Sequence, residues 1–185
     1  MMSENIEIRR LKRNEVELLK GLPFSRHEYQ RRRFLKQQAG ELIFLAAWDN
    51  KLPVGQVLLQ WRGGDLAAVR PQVRTCPEIT TLYVSPNYRQ RGIATQLLDK
   101  AESFAAEYGH RLIGLSVAVD NIAARALYER QNYEDSGKGD YTARGSFVDT
   151  DGRSQSWEET RMYLTKRLLP QEPLMVDSRI NSENA

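Results

Sequence analysis

One cysteine, Cys76, stands among 185 residues. No intrachain disulfide can form from it, and no multi-cysteine zinc site. Histidine is nearly as scarce: His27 and His110 are the only two, too few for a histidine-rich metal centre. No metal site is therefore expected. No apolar run approaches the roughly 20 residues that cross a bilayer; the longest, Leu42–Trp48 and Val54–Trp61, have the length of strands. The opening Met1-Met2-Ser3-Glu4-Asn5 lacks a basic stretch followed by an apolar one, so no secretory signal is expected and the reading is a cytoplasmic chain. An excess of one charge is missing too. Lys plus Arg number 27 against 24 for Asp plus Glu, a formal net of +3, too mild to indicate nucleic acid and compatible with an anionic small ligand. Apolar residues are not lacking. At 41% hydrophobic and 28% charged, the chain has the composition of a globular protein, and its length suits one domain.

Hydropathy patterning divides the chain into short elements. Ile6–Leu11 alternates as a strand does, and Asn14–Leu19 reads as a short amphipathic helix stopped by Gly21-Leu22-Pro23. Ser25, with Glu28 three residues on, forms a capping-box pattern that opens a helix to about Gln38. Glu41–Trp48 and Val54–Trp61, joined by Asp49-Asn50-Lys51, predict an antiparallel hairpin covered on both faces. Arg62–Pro77 reads as a loop. Glu78–Val84 is a strand, and Gly92–Tyr108 carries the strongest helical period, through Ile93, Ala94, Leu97, Leu98, Ala101 and Phe104. Leu112–Val119 predicts a central strand. A helix capped by Asp120 or Asn121 follows, with Ala123, Ala126 and Leu127 facing inward. A last hairpin spans Tyr141–Val148 and Trp157–Leu168, with Asp151-Gly152 at its turn. The order is β-α-α-β-β-β-α-β-α-β-β: an α/β protein (α+β by some schemes) with a mixed sheet of about seven strands. Residues 1–169 are expected to form the domain and 170–185 a flexible tail.

Leu82-Tyr83-Val84-Ser85-Pro86-Asn87-Tyr88-Arg89-Gln90-Arg91-Gly92-Ile93-Ala94-Thr95 joins a strand to a helix start. Unpaired N–H groups and a positive dipole end make such a start an anion site. Gly92 and the small Ala94 let a phosphate approach the backbone, and Arg89 and Arg91 add positive charge. The stretch lacks the P-loop and dinucleotide-binding patterns, and Gly137-Lys138-Gly139-Asp140 has neither the strand before it nor the hydroxyl residue after it that a P-loop needs.

Arg89-Gln90-Arg91-Gly92-Ile93-Ala94 resembles the Arg/Gln-x-x-Gly-x-Gly/Ala signature of the GCN5-related N-acetyltransferase (GNAT) family. Asn121-Ile122-Ala123-Ala124-Arg125-Ala126-Leu127-Tyr128, continuing through Gln131-Asn132-Tyr133, resembles its second signature. Asn132 stands where many members have glycine, and asparagine tolerates the left-handed conformation. The two matches span about Ile79 to Tyr133, and the element order extends them over Ile6 to Leu168.

The resemblance implies helices on both faces of the sheet, a splayed parallel strand pair and acetyl-CoA as co-substrate. The backbones of Leu82, Tyr83 and Val84 would pair with the pantetheine arm. Gln90 to Thr95, with Arg89, would hold the pyrophosphate, and Asn121 would contact the cofactor. It implies direct attack of a primary amine on the thioester, with Tyr128 giving the leaving thiolate a proton. Glu78, where histone-type members keep a glutamate, is the candidate base; a water chain is the alternative. A lysine-type amine titrates near 10.4, so neutralising it at pH 7 costs about 4–5 kcal/mol, which a base relieves. A backbone N–H near Val84 would stabilise the developing oxyanion.

Ser116 occupies the position where some N-terminal-amine acetyltransferases carry a glutamate, which argues against that acceptor. The expected acceptors are a small-molecule amine or a protein lysine. The expected pocket combines the first two helices with the last hairpin, through Tyr29, Phe34, Tyr141, Phe147 and Trp157, with Trp61 a further candidate. No membrane partner is expected, and a homodimer is open because many members dimerise. Three rival readings are an acyl-CoA-binding sensor or scaffold without turnover, a nucleic-acid binder using Arg31-Arg32-Arg33 and Lys36, and a covalent mechanism through Cys76. The basic residues themselves read first as a solvated helix face, and otherwise as a contact for an acidic partner or the cofactor's 3′-phosphate.

Overall fold

In the computed structural model, which describes residues 6–22, 27–63, 76–148 and 153–168, eight strands and three α-helices follow one another. The strands are β1 (Ile6–Arg10), β2 (Leu42–Asp49), β3 (Leu52–Gln60), β4 (Glu78–Val84), β5 (Leu112–Ala118), β6 (Glu134–Asp135), β7 (Tyr141–Val148) and β8 (Ser154–Arg167). The helices are α1 (His27–Gln38), α2 (Ile93–Glu107) and α3 (Ile122–Arg130). One sheet takes them in the order β1-β2-β3-β4-β5-β8-β6, with β7 on β8. Every pairing is antiparallel except β4 with β5. The expected mixed α/β sheet is present, with eight strands rather than seven. The added strand, Glu134–Asp135, has two exposed acidic residues and no apolar pattern to announce it.

Helices cover both faces, which explains why β2 and β3 are buried at nearly every position. Alternation along β3 separates two cores. Val57 and Leu59 join Ile93, Leu97, Leu98 and Ala101 of α2. Leu58 faces the other way, with Phe34 of α1 and Val16 and Leu19 of the segment Arg13–Gly21. That segment, expected as a short amphipathic α-helix, is a nine-residue 3₁₀ helix. Glu15 anchors it, accepting from the Lys12 amide at 2.9 Å and from Arg9 at 2.7 Å. Gln37 fixes α1 to the sheet by donating to the Leu11 carbonyl and accepting from the Phe44 amide, both at 2.9 Å.

The helical period of α2 holds, with Glu102 also buried. It accepts from the Tyr133 hydroxyl at 2.9 Å and from Lys166 at 2.6 Å. On α3 the inner face is Ala124, Leu127 and Tyr128, while Ala123 is exposed. The expected face is therefore turned by one residue. Asn121 is the cap, accepting from the Ala124 amide at 3.2 Å, and Asn132 takes the expected left-handed conformation at φ 62°. β8 begins at Ser154, three residues before the expected Trp157. The Ser25 capping box, most of the Arg62–Pro77 loop, the Asp151-Gly152 turn and the 170–185 tail lie outside the described residues. No helix among the described residues is long and apolar enough to cross a membrane.

Candidate active site

The parallel pair is short. β4 and β5 meet only at Glu78↔Gly114 and Ile79↔Leu115, with the Gly114 amide donating to the Pro77 carbonyl at 2.9 Å. Beyond that point β4 stays with β3 up to Val84↔Gly55, and β5 stays with β8 up to Ala118↔Arg161. A β-bulge drives the divergence: Thr81 and Leu82 fall between the pairs Gln56↔Tyr83 and Leu58↔Thr80, opposite Val57 alone. A bulge bends its strand and leaves a ladder position unpaired. Thr81 sits there at φ 56°, an unusual conformation for a β-branched residue. At the closed end Tyr163 lies so tightly over Gly114 that a Cβ there would collide with its ring.

The opening is a cleft of about 620 Å³. Glu78 to Leu82 of β4 face Ser116 to Ala118 of β5, with Asn121 and Tyr128 at one side and Trp157, Glu159 and Arg161 of β8 at another. Arg33 of α1 also reaches it.

Above the opening, β4 leads through Pro86–Tyr88 into α2. Gln90 at φ 60° and Gly92 at φ 76° make the turn, and the Gly92 carbonyl accepts the first helical bond from Gln96 at 3.0 Å. The amides of Ile93, Ala94 and Thr95 are thus those of a helix's first turn, which have no intrahelical partner. A Cβ on Gly92 would meet the Gln96 side-chain nitrogen at 3.9 Å, an ordinary contact, so it is the left-handed φ rather than lack of room that favours glycine there. Arg89 folds back to donate to the Val84 carbonyl at 3.1 Å, and Arg91 donates to the Asn87 carbonyl at 2.8 Å while covering the Tyr88 ring. Both guanidiniums are held beside the turn.

Within the cleft Tyr128 is 9% exposed, and none of the hydrogen bonds among the described residues uses its hydroxyl. Burial pushes the phenol up to about 12, against a smaller lowering by Arg161, so it stays protonated throughout the neutral range. Glu78 is 5% exposed and lines the same cleft. Ser116 and Tyr141 join their hydroxyls across the cleft's edge at 2.5 Å. Burial raises the Tyr141 phenol and the Ser116 bond opposes that shift. Trp157 packs flat on Gly145, its partner in register; a Cβ on Gly145 would lie 2.6 Å from the indole.

The model of the acetyltransferase (GNAT) family matches residues 10–133. The chain belongs to the GNAT family. It is 32% identical over 101 residues to an N-alpha-acetyltransferase of Saccharolobus solfataricus, covering 53% of this chain and 59% of that one. It is 39% identical over 62 residues to an uncharacterised N-acetyltransferase of Methanocaldococcus jannaschii, covering 34% and 27%. The matched regions thus span less than two thirds of these curated relatives. Among solved structures, NAA60 of Arabidopsis thaliana in complex with acetyl-CoA superposes with a TM-score of 0.66 at 18% identity, over 88% of this chain and 98% of that one.

Most of the GNAT residues singled out in the sequence converge in the fold. Glu78, Leu82, Asn121 and Tyr128 share the cleft; Tyr83 and Val84 continue the same strand, and Arg89 to Thr95 form the turn and helix start above it. The expected pocket needs correction. Trp61 lies away from the cleft, stacked on Tyr108 at 4.6 Å and on His110 at 5.7 Å, because it ends β3 beside the closed end of the parallel pair. Phe34 is core. Tyr29 lines a second, smaller cavity, and the Phe147 side chain lies outside the described residues. Cys76 is buried beside Tyr163, with its thiol pushed up by burial, which suits packing rather than nucleophilic attack. Thr81 and Arg161 were not legible as site residues, and Arg33 only as one member of a basic run. Gly114 and Gly145, two glycines inside strands, are the signal that aromatic rings press close there.

Proposed function

We propose that this chain transfers an acetyl group from acetyl-CoA to a primary amine by direct attack on the thioester. One observation carries the reading: the parallel pair opens at a bulge, and the same strand leads, through Pro86–Tyr88 and the turn at Gln90 and Gly92, into a glycine-started helix N-terminus. The cleft offers unpaired strand backbone for an amide-bearing arm, and the helix start offers amides for a pyrophosphate. Leu82, Tyr83 and Val84 would hold the arm; Gln90 to Thr95, with Arg89 and Arg91 beside them, would hold the phosphates. Asn121, whose Oδ1 is engaged in capping α3, would use its amide group.

Tyr128 would protonate the departing thiolate, whose ordinary pKa is near 8.5. The raised phenol is protonated at neutral pH and, being the weaker acid, would meet the thiolate first as a hydrogen-bond donor that stabilises its charge. Glu78 would take the proton from the amine, directly or through water. A backbone N–H at the Thr81–Val84 stretch would meet the developing oxyanion. Action in the cytoplasm is part of this proposal.

The first test is a thermal-shift titration with acetyl-CoA and with CoA. At 100 times the dissociation constant, binding stabilises by about 2.7 kcal/mol. A clear shift, followed by thiol release on amine addition, is expected. No shift at millimolar concentration would overturn the reading. A shift with no turnover on a broad amine panel would favour the sensor.

A further inference from the structure

We infer that the amine acceptor of this chain carries an oxyanion, a carboxylate or a phosphate, which docks on Arg33. The inference deepens the acetyl-transfer reading and rests on it.

Arg33 belongs to a basic run, Arg31-Arg32-Arg33 and Lys36, but it does not face bulk water as its neighbours Arg31 and Arg32 do. It lies half-buried between α1 and the bulge of β4. Its longest reach is 3.5 Å to the Thr81 hydroxyl, and 3.4 Å to the Gln30 amide oxygen. Both contacts are at the loose limit of hydrogen bonding, and no carboxylate pairs with it among the described residues. Burial lowers its pKa, and only the Tyr29 phenol weakly opposes that shift. A desolvated guanidinium without a counter-charge is costly unless something supplies one.

The surroundings are built to hold it. Gln30, 1% exposed, accepts from Arg33 and donates to the fully buried Gln56 at 3.1 Å. The guanidinium therefore stands on a buried polar column running into the sheet. Arg33 lines both the main cleft and a second cavity of about 290 Å³, which also share Gln60, Thr80 and Thr81. In the second cavity Arg33 is joined by Arg32 and Lys36, with no carboxylate in its lining. The main cleft supplies the complement, with Glu78 and with Glu159, the latter paired with Arg161 at 3.3 Å. An acceptor lying across the two would set its ammonium among the carboxylates and its oxyanion on the cations. A planar guanidinium takes either oxyanion with two donors.

The cofactor's own 3′-phosphate fits less well. Arg33 packs on the sheet face that carries α1, whereas the helix start at Gly92 belongs to α2 on the opposite face.

The test is a thiol-release assay with matched acceptors: amino acids and ω-amino acids against their carboxamides, and aminoalkyl phosphates against the corresponding amino alcohols. The wild type is expected to prefer the anionic member of a pair at least tenfold in kcat/KM, chiefly through KM. Arg33→Gln is expected to abolish that ratio and Arg33→Lys to keep part of it. The carboxylate and phosphate arms tell which oxyanion is read. A ratio near one in the wild type, or a ratio unchanged in Arg33→Gln, overturns the inference while leaving acetyl transfer to neutral amines standing. If no acceptor turns over, thermal shifts of the CoA-loaded wild type and of folded Arg33→Gln or Arg33→Lys with succinate and with inorganic phosphate decide. A shift that is weakened by either substitution supports the inference, and none in the wild type, or an equal one in the variants, overturns it. Failure to bind acetyl-CoA would instead defeat the proposed function.

Discussion

The two faces of the sheet are built on different principles. Against α2 the contacts at the centre of the sheet are apolar, with Leu97, Leu98 and Ala101 packed on Val57 and Leu59, and the one buried carboxylate of α2, Glu102, is paired with Tyr133 and Lys166. Against α1 the apolar cluster ends at a buried polar column of Gln30 and Gln56, with a half-buried cation above it. The α2 face works through backbone: a bulged strand and a helix start that any chain of this shape can present. The α1 face works through particular side chains. Features shared across a family belong to the first kind of surface, and features that select one acceptor belong to the second. A substitution on the α2 face should therefore cost stability, and one on the α1 face should cost selectivity.

Leu97→Ala gives the largest expected effect. The side chain is fully buried and packs at the centre of the α2 face, and such truncations cost about 2–5 kcal/mol in lost transfer energy and residual cavity. Denaturant unfolding should show it as a lowered midpoint with unchanged slope. A loss below about 1 kcal/mol would mean that α2 can settle onto the sheet, and the contrast between the faces would weaken.

Tyr128→Phe should come next, lowering kcat about 10²-fold with the affinity for acetyl-CoA preserved. The wild-type phenol, pushed up to about 12, should give kcat no alkaline limb of its own below about pH 11. Affinity and turnover falling together would make it a packing residue. Stability carries the sign of the same shift. Tyr128, Tyr133, Tyr141 and Tyr163 are all raised first by burial. The folded state thus holds protons that the unfolded chain loses above about pH 10. Their contribution is full below that point and is lost as the pH rises further; melting curves from pH 9 to 11.5 should show the decline.

The α2 face was largely legible in the sequence because its cause is local. The period from Ile93 to Phe104 fixes a helix face, and Gly92 after Gln90 fixes a left-handed turn. Tyr128 is legible only through the resemblance of Asn121–Tyr133 to the family's second signature. The α1 face was legible only as a run of charge. Nothing in Arg31-Arg32-Arg33 says which of the three turns inward. That depends on the bulge at Thr81 of β4, some 48 residues away in sequence, and a bulge has no simple hydropathy signature. Trp61 was misassigned for a related reason: its place at the end of β3 was correct, but which end of the sheet opens depends on the β4–β5 register.

The smallest expected effect sharpens the contrast most. Gln56 buries an amide nitrogen with no hydrogen-bond partner; among the described residues its one side-chain partner is Gln30, which in turn accepts from Arg33. Replacing one glutamine by leucine strands the other and should cost about 1–3 kcal/mol. Replacing both removes the stranded groups together, so Gln30→Leu with Gln56→Leu should fall within about 1 kcal/mol of the wild type. The same double variant takes away the column beneath Arg33, so the preference for anionic acceptors should shrink although the fold is as stable as before. A stable double variant with its preference intact would mean that the guanidinium is positioned by Thr81 and the cavity walls alone. A double variant as damaged as the sum of the singles would mean that the pair does not act as a unit. Only the expected pairing, stability kept and selectivity lost, separates a polar column retained for recognition from one retained for folding.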